Sequence, residues 1–341
     1  MLFFSEKNFR GNHAGTKARN DAEMILRQFG AKPINAHALE LRNDVYENIY
    51  SNIKNRLGYI RFYIDTLFVR NQTIIVQYPM LAFDIQFDYI QKLSKYNRVI
   101  FLVHDIQSLR RDSHHGLQDE IRMLNLATGL IVHNRFMEDK LKQIGVCVNT
   151  YYRLECFDYL FDNKTNNPVE DNVIVFAGNL DKSEFIPMMC TENPTLQFSF
   201  YGPGWRFDSR NATHHGSFLP DEIPGKVEGR FGLVWDGKTV FGCTGALGEY
   251  TRINNPHKLS LYIAAGLPII AWNDAAIAEF IQKYNIGITV KELTYIQDAV
   301  NGITEEQYKT MRENVLRIQK SVTTGVFLQR VLNEIERNNN A

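Results

Sequence analysis

"NNPHKLSLYIAAGLPII", residues 254–270, contains a complete helix-to-strand joint. Pro256 suits the first position of a helix, where its missing N–H has no partner to lose. Gly266 and Pro268 end that helix, and "LPIIAW" (267–272) reads as a short strand. Leu259, Tyr262 and Ile263 turn the helix toward a sheet. So apolar a helix, feeding so short a strand, belongs to a parallel sheet wrapped by helices.

The same alternation runs along the whole chain. Strands are expected in "MLFF", "KPINAHAL", "TIIVQYPM", "RVIFLVHD", "GLIVHN" and "VNTYYRL", then in "DNVIVFAGN", "LQFSFYGPG", "GLVWDG", "LPIIAW" and "IGITV". "TKARNDAEMILRQFG" reads as a helix ending at Gly30, and Val45 to Phe68 as a longer amphipathic one. The polar, turn-rich "FDNKTNNPVEDN" separates two such series. The expectation is an α/β protein of two Rossmann-like domains facing a central cleft, over residues 1–160 and 173–323. Residues 161–172 would be the linker, and 324–341 a last helix that packs locally or crosses back to the first domain.

Bulk properties narrow the function. The chain has 341 residues, 44% hydrophobic and 22% charged, as in a globular protein. A formal net charge of zero carries no nucleic-acid footprint. Cys147, Cys156, Cys190 and Cys243 are scattered without a C-x-x-C and read as reduced thiols. With no signal-peptide pattern and no membrane-length apolar run, a cytoplasmic location is expected.

The front of the quoted helix is chemically odd. A helix start carries unsatisfied N–H groups and partial positive charge, so Lys258 in the first turn opposes the dipole unless an anion arrives. Asn255 as N-cap, His257 and Lys258 together suggest a phosphate seat; the competing reading has Asn255 merely capping and Lys258 in water. Two Gly-containing loops enter helices after the first strand of each domain: "FRGNHAGTKARND", with Gly15, and "AGNLDKSEF", with Gly178, Asn179 and Lys182. Together these point to a nucleoside diphosphate. "VHD" ends the fourth strand of the first domain, so Asp105 is the preferred general base, with His104 orienting it or sharing the role; the alternative is a capping aspartate. Asp236 and Glu249 flank a Gly-rich loop and are candidates to hold sugar hydroxyls. His114–His115 and His214–His215 lack a third ligand at metal spacing and read as loop residues.

The segments "FRGNHAGTKARNDAE", "LVHDIQSLR", "FAGNL", "FGLVWDG" and "CTGALGEYTRINNPHKLSLYIAAGLPIIAW" resemble the bacterial β-1,6-galactofuranosyltransferases of O-antigen and surface-polysaccharide synthesis, over nearly the whole chain. More distantly, the chain is similar to the streptococcal adhesin glucosyltransferases. The resemblance implies a GT-B fold, a UDP-sugar donor, a glycan acceptor that is often lipid-linked, and no cofactor or metal. It matches Lys182 to a basic residue that contacts the diphosphate, and Phe218 to an aromatic that contacts the nucleotide; a core aromatic is the other reading of Phe218. Independently, the chain has no Asp-x-Asp motif for a divalent cation. The function expected is inverting, metal-independent galactofuranosyl transfer. Alternatives are a UDP-glucose or UDP-N-acetylglucosamine transferase of the same fold, or a non-catalytic partner subunit that binds sugar nucleotide. Peripheral contact with the inner face of the plasma membrane and homo-oligomerisation stay open.

Overall fold

β3 (Thr73–Tyr78) and β4 (Arg98–Val103) are almost wholly buried and largely apolar, as expected of central parallel strands covered on both faces. They lie in a computed structural model that describes residues 1–5, 14–35, 60, 62–80, 86–111, 116–162 and 173–339. The chain divides into two compact units, Met1–Leu154 with Leu328–Ala341, and Glu155–Phe327. Of the stretch expected as a linker, only Phe161 and Asp162 are among the described residues.

The first unit holds a six-stranded parallel sheet in the order β2-β1-β3-β4-β5-β6. The remaining strands are β1 (Leu2–Ser5), β2 (Lys32–Asn35), β5 (Gly129–Val132) and β6 (Thr150–Arg153). Helix Ala14–Gln28 follows β1, and Gly30 beyond it takes a φ of +92°, which only glycine adopts without strain. The last helix, Val326–Arg337, contributes buried Leu328, Val331, Leu332 and Ile335. Arg330 reaches the carbonyls of Arg153 and Leu154 at 3.4 and 3.3 Å, and Asn339 the Thr73 hydroxyl at 2.9 Å.

The second unit repeats the plan with β7 (Val173–Ala177), β8 (Gln197–Tyr201), β9 (Ala212–His214), β10 (Phe231–Val234), β11 (Ile269–Trp272) and β12 (Gly287–Val290). Its order is β12-β11-β10-β7-β8-β9, again all parallel. The chain runs outward from β7 in one direction and from β10 in the other, so these neighbours mark the topological switch point. Helix His257–Ala264 covers this region with Leu259 to Ala264 all buried. Gly232 of β10 makes room for the Tyr262 ring: a Cβ there would lie 2.3 Å from it. The Tyr262 hydroxyl, held between strands, accepts from the Ala177 N–H at 2.9 Å and donates to the Leu233 carbonyl at 3.1 Å. β9 was not expected, and it changes the reading of one histidine pair. His214 closes that strand, with its Nε2 2.9 Å from the Gly202 carbonyl and its ring stacked on Trp205. His114 and His115 lie outside the described residues.

Candidate functional site

Helix His257–Ala264 begins at the carboxyl ends of β7 and β10, where a doubly wound sheet binds ligands. Lys258 Nζ lies 3.2 Å from the Trp235 carbonyl and 3.1 Å from Asp236 Oδ1, both just beyond β10. It also sits 4.6 Å over the Phe176 ring of β7. Two protein acceptors leave one of its three N–H groups unspent among the described residues. The side chain is 17% exposed, so the cation is sequestered at the sheet edge while open to a ligand.

Gly178 completes this corner. A Cβ there would come within 3.0 Å of Lys258 Cε, so glycine lets the lysine lie across the end of β7. The loop beyond β8 presses from the other side: a Cβ on Gly202, at φ +130°, would meet the Gly178 carbonyl oxygen at 1.9 Å. Gly178, Lys258, Asp236 and Phe176 thus form one cluster. Cys243, nearby, is kept a thiol by burial, which pushes it up to about 12.

The expected N-cap is corrected. Pro256, with φ −62° and ψ 142°, is the cap residue, and the helix begins at His257. Asn255 is committed elsewhere: it is buried, and its Nδ2 donates to the Glu155 carbonyl at 2.6 Å. With no capping side chain and no acid in the first turn, the start of the helix keeps its positive end. His257 packs against the Tyr159 and Phe157 rings, at 5.0 and 6.0 Å between centroids.

The other sequence-derived residues of this unit are more dispersed. Asn179 caps the turn Leu180–Lys182 by accepting from the Asp181 N–H at 3.0 Å. Lys182 at the end of that turn is exposed. The loop walls a pocket of about 210 Å³ with Gly204, Trp205, Arg206 and Phe207. Phe218 is half-buried, its ring 6.2 Å from that of Tyr201. Glu249 pairs with Arg252 at 2.9 Å, and Arg252 in turn reaches Asp274 at 3.1 Å.

In the first unit, His104 and Asp105 follow β4 at the carboxyl edge. His104 Nε2 lies 2.7 Å from Gln77 Oε1, and Gln77 Nε2 donates to the Arg19 carbonyl at 3.3 Å. Asp105 pairs with Arg110 at 2.8 Å. The turn that follows is pinned by a buried carboxylate that the sequence reading missed. Glu120 accepts from the Gln107 and Ser108 N–H groups, both at 2.9 Å, and from the Tyr78 hydroxyl at 3.0 Å. Burial, with Glu120 alongside, pushes the Tyr78 phenol well up. Behind the edge, His133 donates from Nε2 to the Val103 carbonyl, and burial pulls its imidazole down to about 4. Gly15 is the exposed second residue of helix Ala14–Gln28; residues 6–13, which lead into it, lie outside the described residues. Among the described residues, no three His, Cys, Asp or Glu side chains are grouped to hold a metal ion. Among them, too, no helix is long and apolar enough to cross a membrane.

Comparison with known proteins agrees with this architecture. Residues 5–156 match the glucosyltransferase 3-like N-terminal domain and residues 174–335 the corresponding C-terminal domain. The β-1,6-galactofuranosyltransferase WbbI of Escherichia coli (strain K12) is 31% identical over 98% of both chains. Glucosyltransferase 3 of Streptococcus gordonii is 25% identical over 94% of both. Among solved structures, the α,α-trehalose-phosphate synthase (UDP-forming) of Burkholderia vietnamiensis superposes with a TM-score of 0.59 over 98% of both chains, at 8% identity. Two units with the same parallel-sheet plan, matched domain by domain, place the chain in the glucosyltransferase 3-like family, as a glycosyltransferase of GT-B type.

Proposed function

We propose that the protein transfers galactofuranose from UDP-galactofuranose to a sugar hydroxyl of a surface-polysaccharide acceptor, with inversion and without a metal ion. The observation that carries the reading is Lys258, a mostly buried cation at the switch point of the second sheet with one N–H unspent among the described residues. The name of the E. coli relative supports the choice of donor sugar and of transfer.

In this scheme the acceptor hydroxyl oxygen attacks the anomeric carbon as the bond from that carbon to the UDP oxygen breaks. Asp105 takes the hydroxyl proton, with His104 beside it. Negative charge grows on the departing diphosphate, and Lys258 with the uncapped start of its helix stabilises it more as it grows. Gly178, Asn179 and Lys182 border the diphosphate from the loop after β7, and Phe218 offers an aromatic face to the base. Asn255 and His257 act behind them, fixing the start of the helix. Gly15 is assigned to the donor as well.

A donor panel tests this. UDP-galactofuranose, UDP-galactopyranose, UDP-glucose and UDP-N-acetylglucosamine are each offered with a glycan acceptor in EDTA, and the product's anomeric configuration is read by NMR. Turnover should be fastest with UDP-galactofuranose, give the inverted linkage and survive EDTA. Preference for UDP-glucose or UDP-N-acetylglucosamine would reassign the donor. Retention would remove Asp105 from the base role, and UDP binding without turnover on any donor would leave a non-catalytic subunit.

A further inference from the structure

Residues 60 and 62–68 of the first unit carry apolar side chains on two opposite faces. The inner face is settled by Phe62 and Thr66, both buried. Phe62 packs edge-on against Phe4 at 5.0 Å, and the Thr66 hydroxyl donates to the Phe62 carbonyl and touches Tyr89. The outer face bears Ile60, Tyr63, Ile64, Leu67 and Phe68, spaced i, i+3, i+4, i+7, i+8, which is one continuous stripe on a helix. Their exposures run from 40% at Leu67 to 83% at Phe68. Scattered surface apolar residues need no explanation, but five in helical register do.

Cations rim the stripe. Lys92 Nζ lies 5.5 Å from the Tyr63 ring, and the Arg70 guanidinium lies 4.1 Å from the ring of Tyr96, which is itself exposed. Arg70 also donates to the Leu67 and Val69 carbonyls at 2.9 and 2.8 Å, which holds it at the end of the stripe. Lys95 is exposed beside Tyr96, and among the described residues the acids near this face are Asp65 and Asp88.

We propose that this face seats the protein on an anionic membrane surface. Phe68, Ile64 and Tyr63 would enter the headgroup–acyl boundary, and Arg70, Lys92 and Lys95 would meet lipid phosphates. Aliphatic and aromatic side chains bordered by Lys and Arg are what an interfacial helix needs, and each cation adds attraction to an anionic leaflet. A second copy of the chain fits less well. Eight residue steps span about 12 Å along a helix, whereas a stable dimer buries about 800 Å² on each partner.

Co-sedimentation of the full chain tests this, with vesicles of phosphatidylcholine alone or mixed with phosphatidylglycerol, at low and high salt. The wild type should pellet with the anionic vesicles and be released by salt. Ile64→Glu/Phe68→Glu should cut the bound fraction at least about tenfold, with thermal midpoint and UDP binding unchanged. Lys92→Glu/Lys95→Glu should lose the preference for anionic lipid. Equal pelleting of wild type and the Ile64/Phe68 variant would overturn the proposal, as would no pelleting of the wild type. So would a lowered thermal midpoint in that variant, because the stripe would then be covered by the chain itself. A wild-type dimer turned monomeric by the variant would assign the face to a second copy. Vesicle binding is read without any transfer reaction, so it stands or falls separately from the donor assignment.

Discussion

Lys258 and Asp236 lie 3.1 Å apart, with the lysine 17% exposed and the aspartate 39%. Under the proposed donor assignment, the carboxylate stands where the diphosphate would have to compete for Lys258. Replacing Lys258 by Met should weaken UDP binding at least about tenfold, since a charge-assisted hydrogen bond contributes about 1.5–3 kcal/mol. Asp236→Asn should have the opposite sign. With the aspartate 39% exposed, the ion pair contributes about 0.2–1 kcal/mol, so its loss should tighten UDP by up to about fivefold. The double variant should bind like Lys258→Met, because Asp236 acts through the lysine. Isothermal titration with UDP checks all three, and weaker binding by Asp236→Asn would show that the carboxylate itself holds the nucleotide. At this scale Lys258 was legible, because a cation in a helix's first turn opposes the dipole. The partners of Lys258 were not, since they come from a strand end more than twenty residues away. Glu120 was equally hidden: nothing local marks a carboxylate whose donors are Gln107, Ser108 and Tyr78.

The contact between helix His257–Ala264 and strands β7 and β10 decides where Lys258 points. Its centre is Tyr262 over Gly232, with the phenol bridging Ala177 and Leu233. Gly232→Ala would force a methyl to within 2.3 Å of that buried ring. Overpacking of this kind costs about 3 kcal/mol. Tyr262→Phe keeps the packing and removes only the bridge, at about 1–2 kcal/mol. Urea unfolding should rank the midpoints wild type, Tyr262→Phe, Gly232→Ala, and a Gly232→Ala midpoint at the wild-type value would mean that the helix lifts without cost. The strands themselves were readable because both faces of each central strand are covered, which makes "VIVFA" or "RVIFLV" continuous apolar runs. β9 was not readable. Its three residues, Ala212–His214, are half-buried or exposed at the sheet's edge, where neither alternation nor an apolar run develops. Tyr262 read as an ordinary core residue, since a ring seated on a glycine leaves no periodic mark.

Across the whole molecule, the chain passes between its two units twice, after Leu154 and after Phe327. The second passage returns a helix whose Leu328, Val331, Leu332 and Ile335 are buried in the first unit. Four such side chains at about 1.5–3 kcal/mol each amount to about 6–12 kcal/mol, which is as large as the entire stability of an ordinary domain. A chain ending at Phe327 should therefore lose the first unit's structure while the second, whose residues are all retained, stays folded. The protein carries its own reporter for this. Trp205, Trp235 and Trp272 are its three tryptophans, and all lie in the second unit. In the shortened chain, native tryptophan emission and its thermal transition should persist, with far-UV circular dichroism reduced by about half at low temperature, as expected when one of two similar α/β units unfolds. UDP binding through Lys258 should persist with the emission, and transfer to acceptor should be abolished. Coincident loss of emission and dichroism would show instead that the last helix stabilises both units, and wild-type values for both would show that the first unit does not need it.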